Sequence, residues 1–313
     1  MGILVKNIAL PLEEEESALH RKAAENLKLS PEQIRECKII KKSLDARRKN
    51  RINFIYALEL TLSAAEEKKV LDQPPPGLQI QKVIATPARI SARIQKKPAK
   101  RPVIVGTGPA GLFAALKLAE NGLPALILER GKEVPGRVKD VERFWHDGTL
   151  ETESNVQFGE GGAGTFSDGK LYTRLNDPRV SAILETFHRF GAPPEILFLQ
   201  RPHIGTDHLR RVVLALRKYL QEQDVEFQFQ SKVTRLKIFH DELQGVVVNE
   251  RDEIDSSPLF LAPGNGARDT FQMLQSSGVA LEPKPFAIGL RVEHPQRLID
   301  RIQYGRRAAS MRS

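Results

Sequence analysis

Two uninterrupted apolar runs flank a segment with helical periodicity near the middle of the chain. The runs cover residues 102–105 and 125–128, and unbroken apolar sequence of this length is typical of strands buried on both faces of a parallel sheet. The segment between them ends at Asn121-Gly122, a usual helix stop. Its apolar face consists of Leu112, Ala115, Leu116 and Ala119. This order predicts a strand, a helix and a second parallel strand.

Three glycines connect the first run to the helix in the spacing Gly-x-Gly-x-x-Gly. Gly106 allows a tight turn, Gly108 lets the backbone approach a phosphate, and Gly111 permits close packing of the helix on the strand. Pro109 and Ala110 follow at the helix N-terminus, where unpaired N–H groups attract anions. We therefore predict that these five residues bind the pyrophosphate of a dinucleotide.

An acidic residue, Glu129, ends the second strand, and Arg130 follows it; we expect both to contact the cofactor. In a dinucleotide-binding unit, the acidic side chain at this place accepts hydrogen bonds from the ribose hydroxyls. The alternative is a loop that is glycine-rich for purely structural reasons.

A second glycine-rich block repeats the motif spacing at Gly159, Gly161 and Gly164. No strongly apolar strand precedes this block, and polar, glycine-broken sequence follows it, so it is not a second nucleotide turn of the same kind. The block also approaches the loop that binds nucleoside triphosphates, Gly-x4-Gly-Lys-Ser/Thr. Leu171 stands at the Ser/Thr position and has no oxygen for Mg²⁺, which argues against an ATPase.

The first part of the chain has a different, mixed pattern. Residues 3–10 read as a strand, 17–29 as a helix, and 38–43 and 52–61 as a pair of strands that alternate apolar with polar residues. We predict a small α+β domain over residues 1–72.

A proline-containing, basic stretch follows over residues 73–100 and predicts a linker or a strap on the surface. The dinucleotide-binding domain is then predicted over 101–313. No strand–glycine–helix unit for a second dinucleotide occurs elsewhere in the sequence.

Composition narrows the class of protein. The chain has 313 residues, of which 40% are hydrophobic and 28% charged, and it contains no apolar stretch long enough for a membrane span. An acidic run at residues 13–16 replaces the basic and apolar leader of a signal peptide. Cys37 is the single cysteine, which excludes an internal disulfide and the cysteine pair of flavin-linked disulfide reductases. We expect a cytoplasmic protein that contacts no membrane, and the scattered histidines predict no metal site.

The net charge of +9 raises the question of a nucleic-acid partner, because basic residues are concentrated in residues 38–51. Only Phe54 and Tyr56, on the following strand, could stack on bases. A solvated basic face is the simpler interpretation, and an RNA partner stays open as an alternative.

Four segments together resemble an uncharacterised bacterial family of FAD-dependent dehydrogenases in the glutathione-reductase-like Rossmann superfamily. These segments are residues 106–111, 129–131, 154–171 and 284–291, and the resemblance extends from the N-terminus to about Tyr304. It implies an α/β protein in which a small α+β domain precedes an FAD/NAD(P)-binding Rossmann-type domain, with FAD as cofactor.

The resemblance also implies roles for individual residues. Residues 154–171 would form a loop facing the flavin, where backbone N–H groups converge on the edge that becomes negative on reduction. Val233 would touch the adenine through its backbone, Gly264 would follow the strand that passes under the pyrophosphate, and Lys170 would be the cation beside the reduced flavin. The loop residues implied as cofactor contacts are Gly161, Gly162, Gly164 and Thr165.

The function expected from this resemblance is that of an oxidoreductase that transfers hydride through flavin N5 to or from an unidentified small-molecule substrate. NAD(P)H would bind transiently. Alternatives are an FAD-dependent RNA-modifying enzyme, a non-catalytic nucleotide-binding protein, or a truncated remnant, because relatives continue beyond this length and the basic residues 306–313 lack periodicity.

Overall fold

The computed structural model describes residues 2–83, 97–167, 169–171, 173, 175 and 177–309. Residues 84–96 of the predicted linker and Asp168 of the predicted flavin loop lie outside this range. The strands are β1 (Gly2–Pro11), β2 (Glu36–Asp45), β3 (Asn53–Thr61), β4 (Gln79–Lys82), β5 (Val103–Val105), β6 (Leu126–Leu128), β7 (Glu226–Gln228), β8 (Val233–Phe239), β9 (Glu242–Val248), β10 (Asp252–Asp255) and β11 (Leu259–Leu261). The helices are α1 (Leu19–Leu27), α2 (Ala64–Asp72), α3 (Pro109–Glu120), α4 (Val134–Asp147), α5 (Arg179–Arg189), α6 (Thr206–Glu222), α7 (Arg268–Ser276) and α8 (Gln296–Tyr304).

The N-terminal residues form an antiparallel sheet of four strands in the order β2-β3-β1-β4. Alternate residues of β1, among them Ile3 and Val5, are fully buried and share a hydrophobic core with residues of α1. The helix is shorter than the sequence pattern predicts because Lys28 adopts a left-handed conformation with φ of 55° and ends it.

Strand β4 lies within the predicted linker, residues 73–100. Residues 79–82 pair with β1, with Ile80 opposite Val5, so this part of the predicted linker belongs to the N-terminal sheet. A strand of only four residues gives too little alternation to stand out from a proline-punctuated sequence. The boundary predicted at residue 72 stays a prediction.

The central sheet confirms the predicted α/β class. Its four strands are all parallel, in the order β11-β5-β6-β7, with Val103 beside both Leu259 and Leu126. A strand pair joined through a helix, as β5-α3-β6 is here, is the unit of a Rossmann-type sheet.

Both faces of this sheet are covered, which explains the unbroken apolar strands. Ile104 and Ile127 face a core shared with α3 and α6, whereas Val103 and Leu128 face the antiparallel sheet β10-β9-β8. Side chains of neighbouring strand residues point to opposite faces, so each strand must be apolar on both. None of the helices in the described part of the chain is long and apolar enough to cross a membrane.

Candidate dinucleotide-binding site

The first glycine-rich turn has the geometry that its sequence predicts. Gly106 has a φ of +100°, and a Cβ there would collide with the carbonyl oxygen of Ala262. A Cβ on Gly111 would collide with the carbonyl oxygen of Gly106, so helix α3 packs directly on the turn. Gly108 is the N-cap of α3 and provides no side chain to occupy the helix N-terminus. Pro109 and Ala110 form its exposed first turn, where N–H groups lack helical acceptors.

The second glycine-rich block packs against this turn. The N–H of Gly161 donates to the carbonyl of Thr107 at 3.0 Å, and a Cβ on Gly162 would lie 3.0 Å from the Cα of Gly108. Gly161 and Gly162 both have positive φ, at +81° and +65°, as this backbone path requires. The block continues into a short 3₁₀ helix, Gly162–Phe166, which contains the predicted contacts Gly164 and Thr165. The structure therefore brings the two predicted groups of backbone contacts together.

The Glu129 side chain connects the two glycine-rich loops by hydrogen bonds to both. Its Oε2 accepts hydrogen bonds from the N–H and the hydroxyl of Thr107, at 2.8 and 2.6 Å. Its Oε1 accepts from the N–H groups of Gly131 and Gly159, at 2.9 and 3.1 Å. The carboxylate is buried, and protein donors fill the acceptor positions that sequence reasoning assigned to ribose hydroxyls. The predicted ribose contact stays a prediction.

Arg137 of α4 is a central residue that sequence reasoning missed. Its side chain is fully buried, and its guanidinium donates to five backbone carbonyls of the second glycine-rich block at 2.6–3.2 Å. These carbonyls belong to Asn155, Val156, Gly159, Glu160 and Gly162. Burial lowers the pKa of Arg137 to about 10.

A sequence signal for Arg137 does exist. The residue lies at helical spacing between Val134 and Val141, both buried, so it falls on the buried face of α4. An arginine on such a face needs several acceptors, and a glycine-rich loop offers them as carbonyls.

Glu160 fixes the start of α4 to the same block. Its Oε2 accepts the N–H of Val134 at 2.7 Å, and its Oε1 lies 3.2 Å from Nε of Arg217. The side chain is fully buried, and this burial raises the pKa of Glu160. Sequence reasoning missed this residue too, because it assigned the block to backbone contacts alone.

Arg130, whose predicted cofactor contact stays a prediction, is held by two carboxylates. Its guanidinium makes two hydrogen bonds to Asp269, at 2.8 and 2.9 Å, and one to Glu153 at 2.6 Å. Lys232 bridges the same two carboxylates, and the Arg130 guanidinium lies 4.1 Å from the ring centre of Phe158. Burial alone would lower the pKa of Arg130, but the hydrogen bonds to Asp269 and Glu153 raise it.

Val233 and Gly264 follow the two opposite edge strands of the central sheet, Val233 after β7 and Gly264 after β11. Val233 begins β8, and its buried side chain belongs to the core beneath Val105 and Leu128. Gly264 is exposed, has a φ of +78°, and follows the carbonyl of Ala262 that faces the first glycine turn. The backbone role of Val233 and the cofactor contact of Gly264 stay predictions.

Lys170 lies at the rim of an apolar cavity beside the second block. The cavity has a volume of about 140 Å³. Apolar side chains of α3, α5 and α6 line it, and Gly161, Gly164 and Lys170 contribute from the loop. The backbone of Lys170 forms an antiparallel bridge with His203. Lys170 is therefore an exposed residue at the end of the predicted flavin-facing loop.

The two aromatic rings next to the basic residues 38–51, which would favour RNA binding if they were exposed, are covered. Tyr56 is buried, and its hydroxyl donates to Glu16 at 3.0 Å. Phe54 is half-buried beneath the ammonium of Lys42, which lies 4.4 Å from the ring centre. Neither ring faces solvent as a base-stacking platform would.

Three family models match parts of the chain. Residues 3–61 match a domain of unknown function, residues 104–169 match an NAD(P)-binding Rossmann-like domain, and residues 285–312 match a model described as FAD-dependent protein, C-terminal domain-like. These matches confirm the resemblance to FAD-dependent proteins and the presence of a Rossmann-type domain.

Individual relatives give the following similarities. An uncharacterized protein of Clostridium beijerinckii is 41% identical over 97% of this chain, and the chain spans 56% of that protein's length. Glycine oxidase from Bacillus cereus is 13% identical, with a TM-score of 0.36 over 57% of this chain and 60% of its own. L-Amino acid deaminase from Proteus vulgaris is 14% identical, with a TM-score of 0.35 over 63% of this chain and 61% of its own.

Proposed function

We propose that this protein is an FAD-binding oxidoreductase that transfers a hydride to or from a small-molecule substrate. The observation that carries the proposal is the packing of the second glycine-rich block on the first. A Cβ added to Gly162 would lie only 3.0 Å from the Cα of Gly108, so one of the two loops would have to move. Two glycine-rich loops that pack together next to a helix N-terminus without a side-chain cap suit a dinucleotide with an extended phosphate-to-flavin axis.

The residues present fit the cofactor at the pyrophosphate end. The N-terminus of α3 has no side-chain cap, its first turn is exposed, and a Cβ added to Gly108 would find its nearest neighbour at 3.9 Å. We assign the pyrophosphate to the N–H groups of this turn and the flavin side to Gly161, Gly162, Gly164 and Thr165. When bound, FAD would supply two-electron transfer at flavin N5.

Lys170 would contribute an electrostatic role at the flavin side. A cation near the flavin N1–C2 carbonyl edge favours the form that gains negative charge, and mostly apolar side chains line the cavity beside Lys170. The substrate would approach the flavin from this side.

FAD is preferred over NAD(P)H as the resident dinucleotide for two reasons. Residues 285–312 match a family model whose description names FAD. The second glycine-rich block also extends the site beyond the single turn that would bind the pyrophosphate. NAD(P)H would then act as a transient electron donor. A cytoplasmic location and the division into residues 1–72, 73–100 and 101–313 are part of the same proposal.

Purification followed by an absorption spectrum tests the proposal directly. We expect a flavin spectrum, and FAD as the compound released on denaturation and identified by mass. Protein that stays colourless after incubation with FAD and gel filtration would refute the proposal.

A further inference from the structure

The N-terminal sheet makes a main-chain contact with the Rossmann-type part of the molecule. Strand β2 lies at the edge of its sheet, and the N–H of Lys42 donates to the carbonyl of Phe198 at 2.7 Å. The N–H of Gln200 donates back to the carbonyl of Lys42 at 2.9 Å, which makes a parallel bridge between Lys42 and Leu199. An edge strand is thereby paired rather than left open to solvent.

The same segment pairs a few residues later with the loop that contains Lys170. The N–H of Leu171 donates to the carbonyl of Pro202 at 2.9 Å, and the N–H of Ile204 donates to the carbonyl of Gly169 at 3.0 Å. Residues 198–204 thus connect β2 at one end with residues 169–171 at the other.

The glycines around these pairings make the position of the loop depend on them. Gly169 and Gly205 have φ values of +74° and +85°, and a Cβ on Gly169 would lie 3.0 Å from the backbone nitrogen of Gly205. Glycine restricts the backbone least of all residues, so hydrogen bonds from neighbouring segments must determine where such a loop lies.

We infer that the N-terminal domain is a positioning unit, which holds residues 198–204 and through them the Lys170 segment. Lys42 is the positioning residue, and it acts through its backbone. The consequence for the flavin rests on the proposed function, whereas the mechanical coupling does not.

The side chain and the backbone of Lys42 can be tested separately. Its ammonium binds Glu16 and lies over Phe54, inside the N-terminal domain. The N–H and the carbonyl of Lys42 both bond to residues 198–200. In a β-strand, the N–H and the carbonyl of one residue point to the same side, so Lys42 makes no backbone hydrogen bond to β3 on the opposite side. Proline at this position therefore removes the donor to Phe198 and spares the pairing with β3.

The test compares Lys42→Pro with Lys42→Gln by hydrogen exchange of the full-length protein. Both changes remove the ammonium, but only Lys42→Pro removes the N–H. We expect the amides of Leu171 and Ile204 to exchange about tenfold faster in Lys42→Pro than in Lys42→Gln, with β1 amides protected in both. In FAD-loaded protein, Lys42→Pro should also shift the flavin reduction potential while Lys42→Gln leaves it unchanged.

A second variant keeps the test decisive if Lys42→Pro disturbs the N-terminal domain. Gln200→Pro removes the donor on the other side of the same bridge and leaves the N-terminal domain untouched. Unchanged exchange of Leu171 and Ile204 in Gln200→Pro would overturn the inference, as would equal acceleration in Lys42→Gln and Lys42→Pro. Failure of the unchanged protein to bind FAD would refute the proposed function alone, because the exchange measurement needs no cofactor.

Discussion

The carboxylate of Glu129 accepts the N–H of Gly159 at 3.1 Å and so joins the end of β6 to the second glycine-rich block. The same carboxylate accepts the N–H of Thr107 in the first glycine turn. One buried side chain therefore sets the spacing between the two loops proposed to bind opposite ends of the cofactor. A residue expected to contact the ligand also organises the site.

Glu129→Gln should destabilise the protein by about 1–3 kcal/mol. A glutamine amide cannot accept on its nitrogen side, so two of the four N–H or O–H donors lose their acceptor in a buried place. Urea unfolding measures the change. Glu226→Gln is the control, since Glu226 pairs with Arg101 at the surface and should contribute less than about 1 kcal/mol. Equal stability of Glu129→Gln and the unchanged protein would contradict the role given to Glu129.

Arg137→Met should lower the free energy of unfolding by about 3 kcal/mol or more, because five backbone carbonyls lose a charged donor inside the protein. Lysine has one compact ammonium and cannot replace the planar fork, so Arg137→Lys should restore little. Hydrogen exchange in residues 154–162 reports the loosening of the loop.

The control for this change is Arg143→Met on the same helix. Arg143 forms a partly exposed ion pair with Asp140, and its loss should cost less than about 1 kcal/mol. If the two variants had the same stability, Arg137 would not be the residue that holds the glycine-rich block.

Asp269→Asn should lower the free energy of unfolding near neutral pH and should lower it less in acid. Hydrogen bonds from Arg130, opposed by burial and supported by Lys232, hold the pKa of Asp269 below its usual range. A carboxyl with a lowered pKa stabilises the fold above its ordinary pKa of about 4, and this contribution is lost as the pH falls towards the lower folded value.

The measurement is the difference in unfolding free energy between Asp269→Asn and the unchanged protein, from about pH 6 down to about pH 3. The difference should be on the order of 1 kcal/mol at pH 6, because solvent screens this partly exposed pair, and should shrink with acid. Asp241→Asn, at an exposed position, serves as the comparison. A difference that grows towards pH 3 would show that the sign is wrong.

Lys170→Met should lower the reduction potential of bound FAD, by on the order of 30 mV for the loss of about 1.4 kcal/mol of stabilisation of the reduced form. Lys218→Met, on the exposed face of α6, is the matched control. Equal potentials in the two variants would assign Lys170 a structural role.

The sequence predicts the central sheet well for a physical reason. Val103–Val105 and Leu126–Leu128 are apolar on both faces because helices cover one face and strands β8 to β10 the other, and unbroken apolar runs are visible without any knowledge of neighbours. The conformations of Gly106 and Gly111 follow from the turn itself, which is a local feature.

Contacts between distant segments could not be predicted in this way. The carbonyls bound by Arg137, the carboxylates bound by Arg130 and the bridge from Lys42 to Leu199 depend on how separate loops are placed by the fold. Sequence reasoning missed strand β4 because the strand is short and because its partner, β1, lies far from it in the sequence although the two are neighbours in the sheet.

The central claim is that FAD binds at the first glycine-rich turn, and titration of FAD into Gly108→Val tests it most directly. Gly108 has an extended backbone with φ of −66°, and a Cβ there would lie 3.9 Å from the Cα of Gly162, an ordinary contact distance, so we expect valine to keep the fold and to fill the approach to the helix N-terminus. Gly2→Val, in strand β1 with no atom closer than 3.6 Å to the added Cβ, controls for the substitution. We expect unchanged FAD affinity in Gly2→Val and at least about a 100-fold loss in Gly108→Val, the equivalent of about 2.7 kcal/mol. Equal affinity of the two variants, both folded, would contradict the account.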